Sequence, residues 1–465
     1  MANRLVIYLE TNNIISDFQF GFRKKHSTVH PMILFNNFIT EAFNNKQYAI
    51  AVFCDLRKAF DTVNHGRLLK KMQKYGIKGL ALSWFKSYLT GRTQYVHFNG
   101  ENSTLLEITI GVPQGSILGP ILFLLYINDL PGASLLKALL FADDTTLLAS
   151  NENLAELCQF VNKEFKKITD YFRTNLLALH PAKTKFIIFT TNKKVTTDQC
   201  RLFINNNNSG SPINNSLITE ISRITGSSDD PAMRFLGLYI DPHLNFNYHI
   251  QQIGKKVSTS LFFLNKAKNL LNKKTLKTLY HSLIHSHIIY AIQIWSSSSQ
   301  SNINYLFKLQ KKAIRIVSLA PYNAHTESLF KNNGILPLPN LIYFFRIQFM
   351  KQFSKGHLPR IFTEIWTTNA ARQIYTGTLH QYPLRNSDNL YIPPARTALT
   401  EKHPLHLFPR LWTEFNENSI RFIRDKKEFN AKFKIYLLSK LESNFRCSRL
   451  FCPSCHLNLG ALDSE

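Results

Sequence analysis

Asp143 and Asp144 stand between two short apolar runs, Leu136 to Phe141 and Thr145 to Ala149. A polar connection this short between strand-forming segments reads as a tight hairpin, so both carboxylates are carried to its tip. Another apolar run, Tyr48 to Cys54 (YAIAVFC), ends at Asp55 and has the unbroken hydrophobicity of a strand buried on both faces. If these strands are neighbours in one sheet, Asp55 and the hairpin tip meet at the same end. The chain must then build a sheet with an acidic edge.

Three carboxylates gathered in this way suggest a metal site. Hard divalent cations such as magnesium take oxygen ligands, and two of them about 3.5 to 4 Å apart can hold the attacking and leaving oxygens of a phosphoryl transfer. The bland alternative for a paired aspartate is a solvated cap or an Asx-turn. Charge favours the metal reading: 56 Lys and Arg against 30 Asp and Glu leave a net +26, which argues for a polyanionic partner such as nucleic acid or an anionic membrane surface.

The rest of the chain has a mixed order of strands and helices. Strands are expected at Tyr95 to Phe98 and Leu105 to Ile110, joined by the Asn99-Gly100 hairpin signal, and a buried helix at Ser116 to Asn128. A helix over Leu154 to Phe172 and a strand at Lys185 to Thr190 follow, with strands at Leu202 to Ile204, Ser216 to Ile224 and Met233 to Ile240 around an asparagine-rich loop. From His249 to Phe353 the pattern is helical, with basic faces at Lys255-Lys256, Lys266 and Lys268, Lys273-Lys274 and Lys277, and Lys308 to Arg315. The stretch from Ser354 onward has scattered prolines and no clean period, and reads as a mixed appendage.

The 465 residues exceed one core and should divide into several domains, while 44% hydrophobic content excludes a wholly disordered chain. Leu5 to Leu9 is too short for a signal peptide, and the longest apolar run, Ile121 to Ile127, falls well below a membrane span. Six cysteines are too few for a secreted disulfide framework, so a reducing compartment is expected. These features point to a soluble intracellular protein, in nucleus or cytoplasm, with no membrane partner.

In order along the chain stand QFGFR (Gln19 to Arg23), Ser27-Thr28, DLRKAFD (Asp55 to Asp61), WFKSYL (Trp84 to Leu89), GVPQGSILGP (Gly111 to Pro120), YINDL (Tyr126 to Leu130), FADD (Phe141 to Asp144) and FLGLYID (Phe235 to Asp241). Together these strings resemble the reverse transcriptase of LINE-like (non-LTR) retrotransposons, particularly the jockey-like group, over roughly Arg4 to Phe345. The resemblance implies an α+β right-hand polymerase, with a palm of antiparallel sheet and packed helices. It divides the chain into residual fingers (1–47), palm (48–247), basic helical thumb (248–353) and a carboxy-terminal region (354–465).

The resemblance also assigns roles. Asp55, Asp143 and Asp144 would hold two magnesium ions, and the chain would extend a DNA primer with deoxynucleotide triphosphates on an RNA template. Phe60 matches the gate that packs under the sugar and rejects a ribose 2′-hydroxyl; otherwise it is a core phenylalanine. Gln114 matches the amide at the incoming nucleotide or its template base, and Gly115 permits close backbone approach. Lys183 matches the lysine that protonates departing pyrophosphate, the alternative being an ordinary surface lysine. Arg92 falls on a position suited to a nucleic-acid backbone contact. The basic helices would grip the primer-template duplex, their alternative being solvated faces.

Cys447, Cys452, Cys455 and His456 offer thiolate and imidazole ligands suited to zinc, although the adjacency of Cys455 and His456 strains closure on one ion; a reduced tail is the other reading. LINE-like polymerases carry further fingers upstream of the segment resembling Arg4 to Arg23, and an endonuclease. The chain is therefore expected to be a truncated element or a partial gene model, with a non-catalytic nucleic-acid-binding remnant as the alternative function. A group II intron-type maturase is a weaker third. His180 departs from the asparagine of relatives.

Overall fold

In a computed structural model of the chain, residues 1–191, 200–205, 218–369, 371, 389–415 and 417–441 are described. They fall into two compact units, Met1–Leu236 and Gly237–Glu465.

In the first unit α1 (Ala2–Thr11) and α2 (Val29–Asn44) precede β1 (Tyr48–Cys54), and α3 (His65–Lys74) and α4 (Gly79–Leu89) follow it. Four two-residue strands come next: β2 (Thr93–Gln94), β3 (His97–Phe98), β4 (Glu101–Asn102) and β5 (Leu106–Glu107). Then come α5 (Leu118–Ile127), β6 (Lys137–Phe141), β7 (Asp144–Asn151), α6 (Leu154–Thr174), β8 (Lys185–Phe189) and the short strands β9 (Phe203–Asn205), β10 (Ile218–Glu220), β11 (Ser222–Ile224) and β12 (Met233–Phe235). The main sheet has the order β11-β8-β1-β7-β6. Its pairs are antiparallel except β11 with β8.

Alternation along a strand sends successive side chains to opposite faces. On β1, Phe53 turns to α2, where Phe35 lies 5.9 Å from Phe53, 5.8 Å from Phe189 and 5.2 Å from Phe235 between ring centroids. Ile50, Val52 and Cys54 turn the other way, into a core shared with Leu140, Leu147, Ile188, α5 and the apolar stripe of α6 (Leu157, Val161, Phe165, Ile168, Phe172). Covered on both faces, β1 has no position for a polar side chain, which is why its sequence reads as an unbroken apolar run. The α5 helix is apolar all round because it is buried all round. Asn153 starts α6 by accepting the Ala155 and Glu156 N–H groups at 2.9 and 3.3 Å.

Three strand expectations need correction. Asn99 and Gly100 do turn the hairpin, with φ of 49° and 85°, but β3 pairs with β4 while β2 pairs with β5. The register slips by one residue between them, after the Ser103 hydroxyl and N–H have both bonded Val96; an extra residue on one strand is a bulge. The stretch Ser216 to Ile224 divides within its described part: β10 pairs with β9, and β11 joins the main sheet. The stretch Met233 to Ile240 breaks at Leu236-Gly237, both in the left-handed region at 47° and 89°.

The second unit opens with β13 (Leu238–Ile240) and continues as helices: α7 (Asn247–Ala267), α8 (Lys273–Tyr280), α9 (Ser286–Ile289), α10 (Ile292–Trp295), α11 (Gln300–Ser318), α12 (Thr326–Asn332) and α13 (Leu338–Ser354). Its core holds a fully satisfied amide. Gln310 donates to the Tyr280 hydroxyl (3.0 Å) and the Leu336 carbonyl (3.1 Å) and accepts the Leu338 N–H (2.7 Å). Contrary to the expected mixed appendage, the described part of 354–441 is helical, at Ile361–Ile365, Ala398–Glu401, Pro404–Glu414, Asn418–Arg421 and Lys426–Ser439. Aromatic packing ties this part to α13: Trp366 lies 5.9 Å from Phe349 and 5.2 Å from Phe353 between ring centroids.

Cys158 on α6 and Cys200 form a disulfide with Cα atoms 5.7 Å apart, a pairing that the expectation of reduced cysteines did not include. Among the described residues no helix is long and apolar enough to cross a membrane.

Candidate active site

The β6–β7 hairpin closes over two residues, Ala142 and Asp143, with Phe141 paired to Asp144. Thr145 pairs with Cys54 as the last pair of the β1–β7 ladder, so Asp144 and Asp55 are the residues immediately beyond that pair. Residues distant in sequence thus reach one sheet end. Burial, with the Asp143 and Asp55 charges, pushes the Asp144 carboxyl up to about 6, even though the residue keeps an exposed surface. Burial and the Asp55 charge also raise Asp143. Mutual repulsion among anions favours the protonated form.

Among the described residues none of the three aspartates is ion-paired, and no three His, Cys, Asp or Glu side chains converge as a ready-made metal cluster. The donor chemistry nevertheless suits a hard divalent cation: oxygen ligands only, and a surplus of negative charge that a cation would relieve.

Asp55 is held from the side of β8. Its N–H donates to the Thr184 hydroxyl at 3.4 Å and its carbonyl accepts the His180 N–H at 2.8 Å, while the Arg57 N–H donates to the Ala178 carbonyl at 2.8 Å. Thr184 is fully buried, and Lys183 beside it is exposed. The hairpin tip is held from the other side. Gln19, fully buried, accepts the N–H groups of Gly21 (2.8 Å) and Ala142 (2.9 Å) on one oxygen, while its amide nitrogen has no partner. Backbone bonds of the Phe20 N–H to Leu140 (2.8 Å) and of the Leu140 N–H to Phe18 (2.9 Å) extend the sheet by one short rung.

Phe60 is half-buried, its ring 4.5 Å from Phe123 and 6.3 Å from Phe22 between centroids. Gln114 is exposed and donates to Asp61 Oδ1 at 2.7 Å. The loop carrying it is tied down by the Val112 N–H to the Phe60 carbonyl (2.9 Å) and the Gly111 N–H to the Val63 carbonyl (2.8 Å). A Cβ at Gly111 would come within 2.8 Å of the Asp61 carbonyl oxygen, so this close approach requires glycine. Gly115, with φ of 80°, is open to solvent. Arg92 is half-buried at the base of the small hairpin. Cys447, Cys452, Cys455 and His456 lie outside the described residues.

Gln19 and Thr184 were not anticipated as site residues. Gln19 belongs to the quoted QFGFR string, so its position could have been found; nothing local marks Thr184.

The profile of the family "Reverse transcriptase (RNA-dependent DNA polymerase)" matches residues 1–240. The chain belongs to the reverse transcriptase family. A palm-type polymerase fold goes with that family, and the mixed helix-and-sheet first unit agrees with it. Two relatives from Drosophila melanogaster are the probable RNA-directed DNA polymerase from transposon BS, 30% identical over 71% of this chain, and that from mobile element jockey, 28% identical over 73%. A retrovirus-related Pol polyprotein from type-1 retrotransposable element R2 of Popillia japonica is 31% identical over 35% of this chain and 28% of its own length. Among reverse transcriptases the chain falls in the LINE-like, non-LTR group. The matched part spans 36% of the length of both Drosophila melanogaster relatives.

Proposed function

We propose that the chain is the polymerase part of a non-LTR retrotransposon protein, adding deoxynucleotides to a primer 3′-hydroxyl on an RNA template. The reading rests on the sheet register that brings Asp55 beside Asp143-Asp144 within a chain of the reverse transcriptase family. Residues 1–47 would serve as remaining fingers, 48–247 as palm and 248–353 as thumb.

Asp55, Asp143 and Asp144 would hold magnesium. Bound there, the metal pair supplies the charge that acidifies the primer hydroxyl and steadies the transferring phosphate. The remaining roles belong to side chains. Phe60, backed by the Phe123 ring, would sit under the sugar and exclude a 2′-hydroxyl. Gln114 would leave Asp61 to meet the nucleotide or template base, with Gly115 admitting the backbone closely. Lys183, exposed beside the held Asp55 segment, would give its proton to pyrophosphate. Arg92 would contact the nucleic-acid backbone, and the basic helices would bind the duplex through counterion release.

The test is primer extension on a primed RNA template with magnesium and deoxynucleotides, comparing the chain with Asp143→Ala/Asp144→Ala. Extension by the parent alone supports the reading. Template binding by both without extension identifies a non-catalytic remnant.

A further inference from the structure

In the second unit α7 and α11 pack together, and their carboxy-terminal ends border an open groove of about 490 Å³. Leu261, Ile316 and Leu319 give the groove an apolar lining, and Lys268, Lys312 and Arg315 bring three cations to it. Among the described residues none of the three is ion-paired. Cations in this place have an ordinary structural use, because the carbonyl end of a helix is its negative end. The aromatic side chains of the groove do not share that explanation.

Phe262 and Tyr322 line the groove and remain 58% and 80% exposed, although rings of this size usually contribute to a core. The turn that carries Tyr322 is tied to α11: the Ala324 N–H donates to the Pro321 carbonyl at 3.1 Å, and Arg315 Nε donates to the Ala324 carbonyl at 2.8 Å. The Lys266 ammonium lies 5.8 Å from the Phe262 ring centroid, which puts positive charge beside that ring as well. Asn265 and Asn269 add amide side chains to the lining, each both donor and acceptor. Exposed rings, neutral amides and cations without an acidic partner thus share one groove.

We propose that the groove seats an unpaired nucleotide of a single strand, its base against the exposed rings of Phe262 and Tyr322 and its flanking phosphates on Lys268, Lys312 and Arg315. Stacking on aromatic side chains, with cations along the backbone, is how single strands are gripped without sequence preference. An acidic peptide meets the cations and the apolar lining equally well. The rings beside amide donors and acceptors favour a base, which offers a flat face and a hydrogen-bonding edge. The inference rests on the polymerase reading and deepens it: where the basic helices grip duplex, this groove adds a site that paired and stacked bases cannot fill.

The experiment measures binding of two ligands by the full chain at one salt concentration. One is a single-stranded RNA carrying a fluorescent purine analogue whose emission falls when it stacks, and the other is a blunt RNA–DNA duplex. Phe262→Ala and Tyr322→Ala should each weaken the single strand about tenfold, the scale of one base–aromatic contact, and relieve the quenching. Both should leave duplex affinity unchanged. Phe262→Trp keeps a ring in place and should bind as the parent does. Because both side chains are exposed, the urea midpoints of the alanine variants should match the parent's, which separates lost binding from unfolding. Single-strand binding unaltered in both alanine variants, or lost together with duplex binding, overturns the seat and leaves the polymerase reading standing. A parent that binds neither ligand overturns both. A peptide of alternating glutamate and leucine whose binding needs Phe262 and Tyr322, while that of the single strand does not, identifies a protein-docking groove and overturns the nucleotide.

Discussion

The side-chain oxygen of Gln19 accepts the backbone N–H of Ala142 at 2.9 Å. Ala142 adopts the left-handed region at φ of 58°, which a residue with a Cβ enters only at a cost, and Asp143 follows it directly. A buried amide from the amino-terminal segment thus pins the strained first residue of the acidic turn. The same oxygen accepts the Gly21 N–H, so one side chain supports two buried backbone donors.

Replacing Gln19 with leucine should strand both donors, at about 1–3 kcal/mol for each, and lower primer extension further than the stability loss explains. Gln19→Glu keeps the acceptor and should restore much of the extension. Urea unfolding read beside extension rates separates the two effects; equal extension by both variants would count against a positioning role.

Gly21 lies against the same turn, where a Cβ would stand 2.5 Å from the Ala142 nitrogen and 3.0 Å from the Phe141 carbonyl carbon. Both neighbours are backbone and cannot swing aside. Gly21→Ala should therefore destabilise the first unit by about 1–3 kcal/mol, seen as a lower urea midpoint, and reduce extension by displacing the turn.

The Asp144 carboxyl titrates at about 6, raised by burial and by Asp143 and Asp55. Between the ordinary carboxyl range and 6 the folded chain binds more protons than the unfolded one, so this group's contribution to stability falls as pH rises through that window. Asp144→Asn, neutral throughout, should melt higher than the parent at pH 8 without metal and lose the advantage as pH drops toward 4. Magnesium should raise the parent's Tm at pH 8 and leave the variant's unchanged, and extension by the parent should decline below about pH 6. A parent Tm indifferent to magnesium would sink the metal assignment.

The Phe60 ring packs against Phe123, tilted by 32° with centroids 4.5 Å apart. If Phe60 lies under the sugar as proposed, Phe60→Val should raise ribonucleotide incorporation by at least tenfold relative to deoxynucleotides in single-nucleotide extension. A lowered Tm with unchanged sugar discrimination would identify a core residue instead.

Lys255 and Lys312 are exposed on α7 and α11. If both contact phosphates of the duplex, changing each to glutamine should weaken binding alike for all sequences and reduce the slope of log affinity against log salt by about one per lysine. Titrations between low and moderate salt measure this directly.

Much of the first unit is legible from local pattern. The apolar run before Asp55, the FADD hairpin and the all-apolar α5 each declare their element and burial, because alternation and helical period depend only on neighbouring residues. Local pattern also places Asp143 and Asp144 at a hairpin tip. It does not reveal that Gln19 holds Ala142, that the Thr184 hydroxyl meets Asp55, that Ser103 shifts the small hairpin's register, or that Leu236-Gly237 splits a strand. Nor does it show the helices between Ile361 and Ser439, a part that aromatic packing ties to α13, or the groove where α7 and α11 end. Those features depend on hydrogen bonds and contacts between segments distant along the chain. Sequence alone marked the apolar runs that become β1, β6, β7 and β8 and the acidic residues at their ends, while the folded chain decided where other strands break and which elements meet, since register and approach are fixed only when separate elements pack.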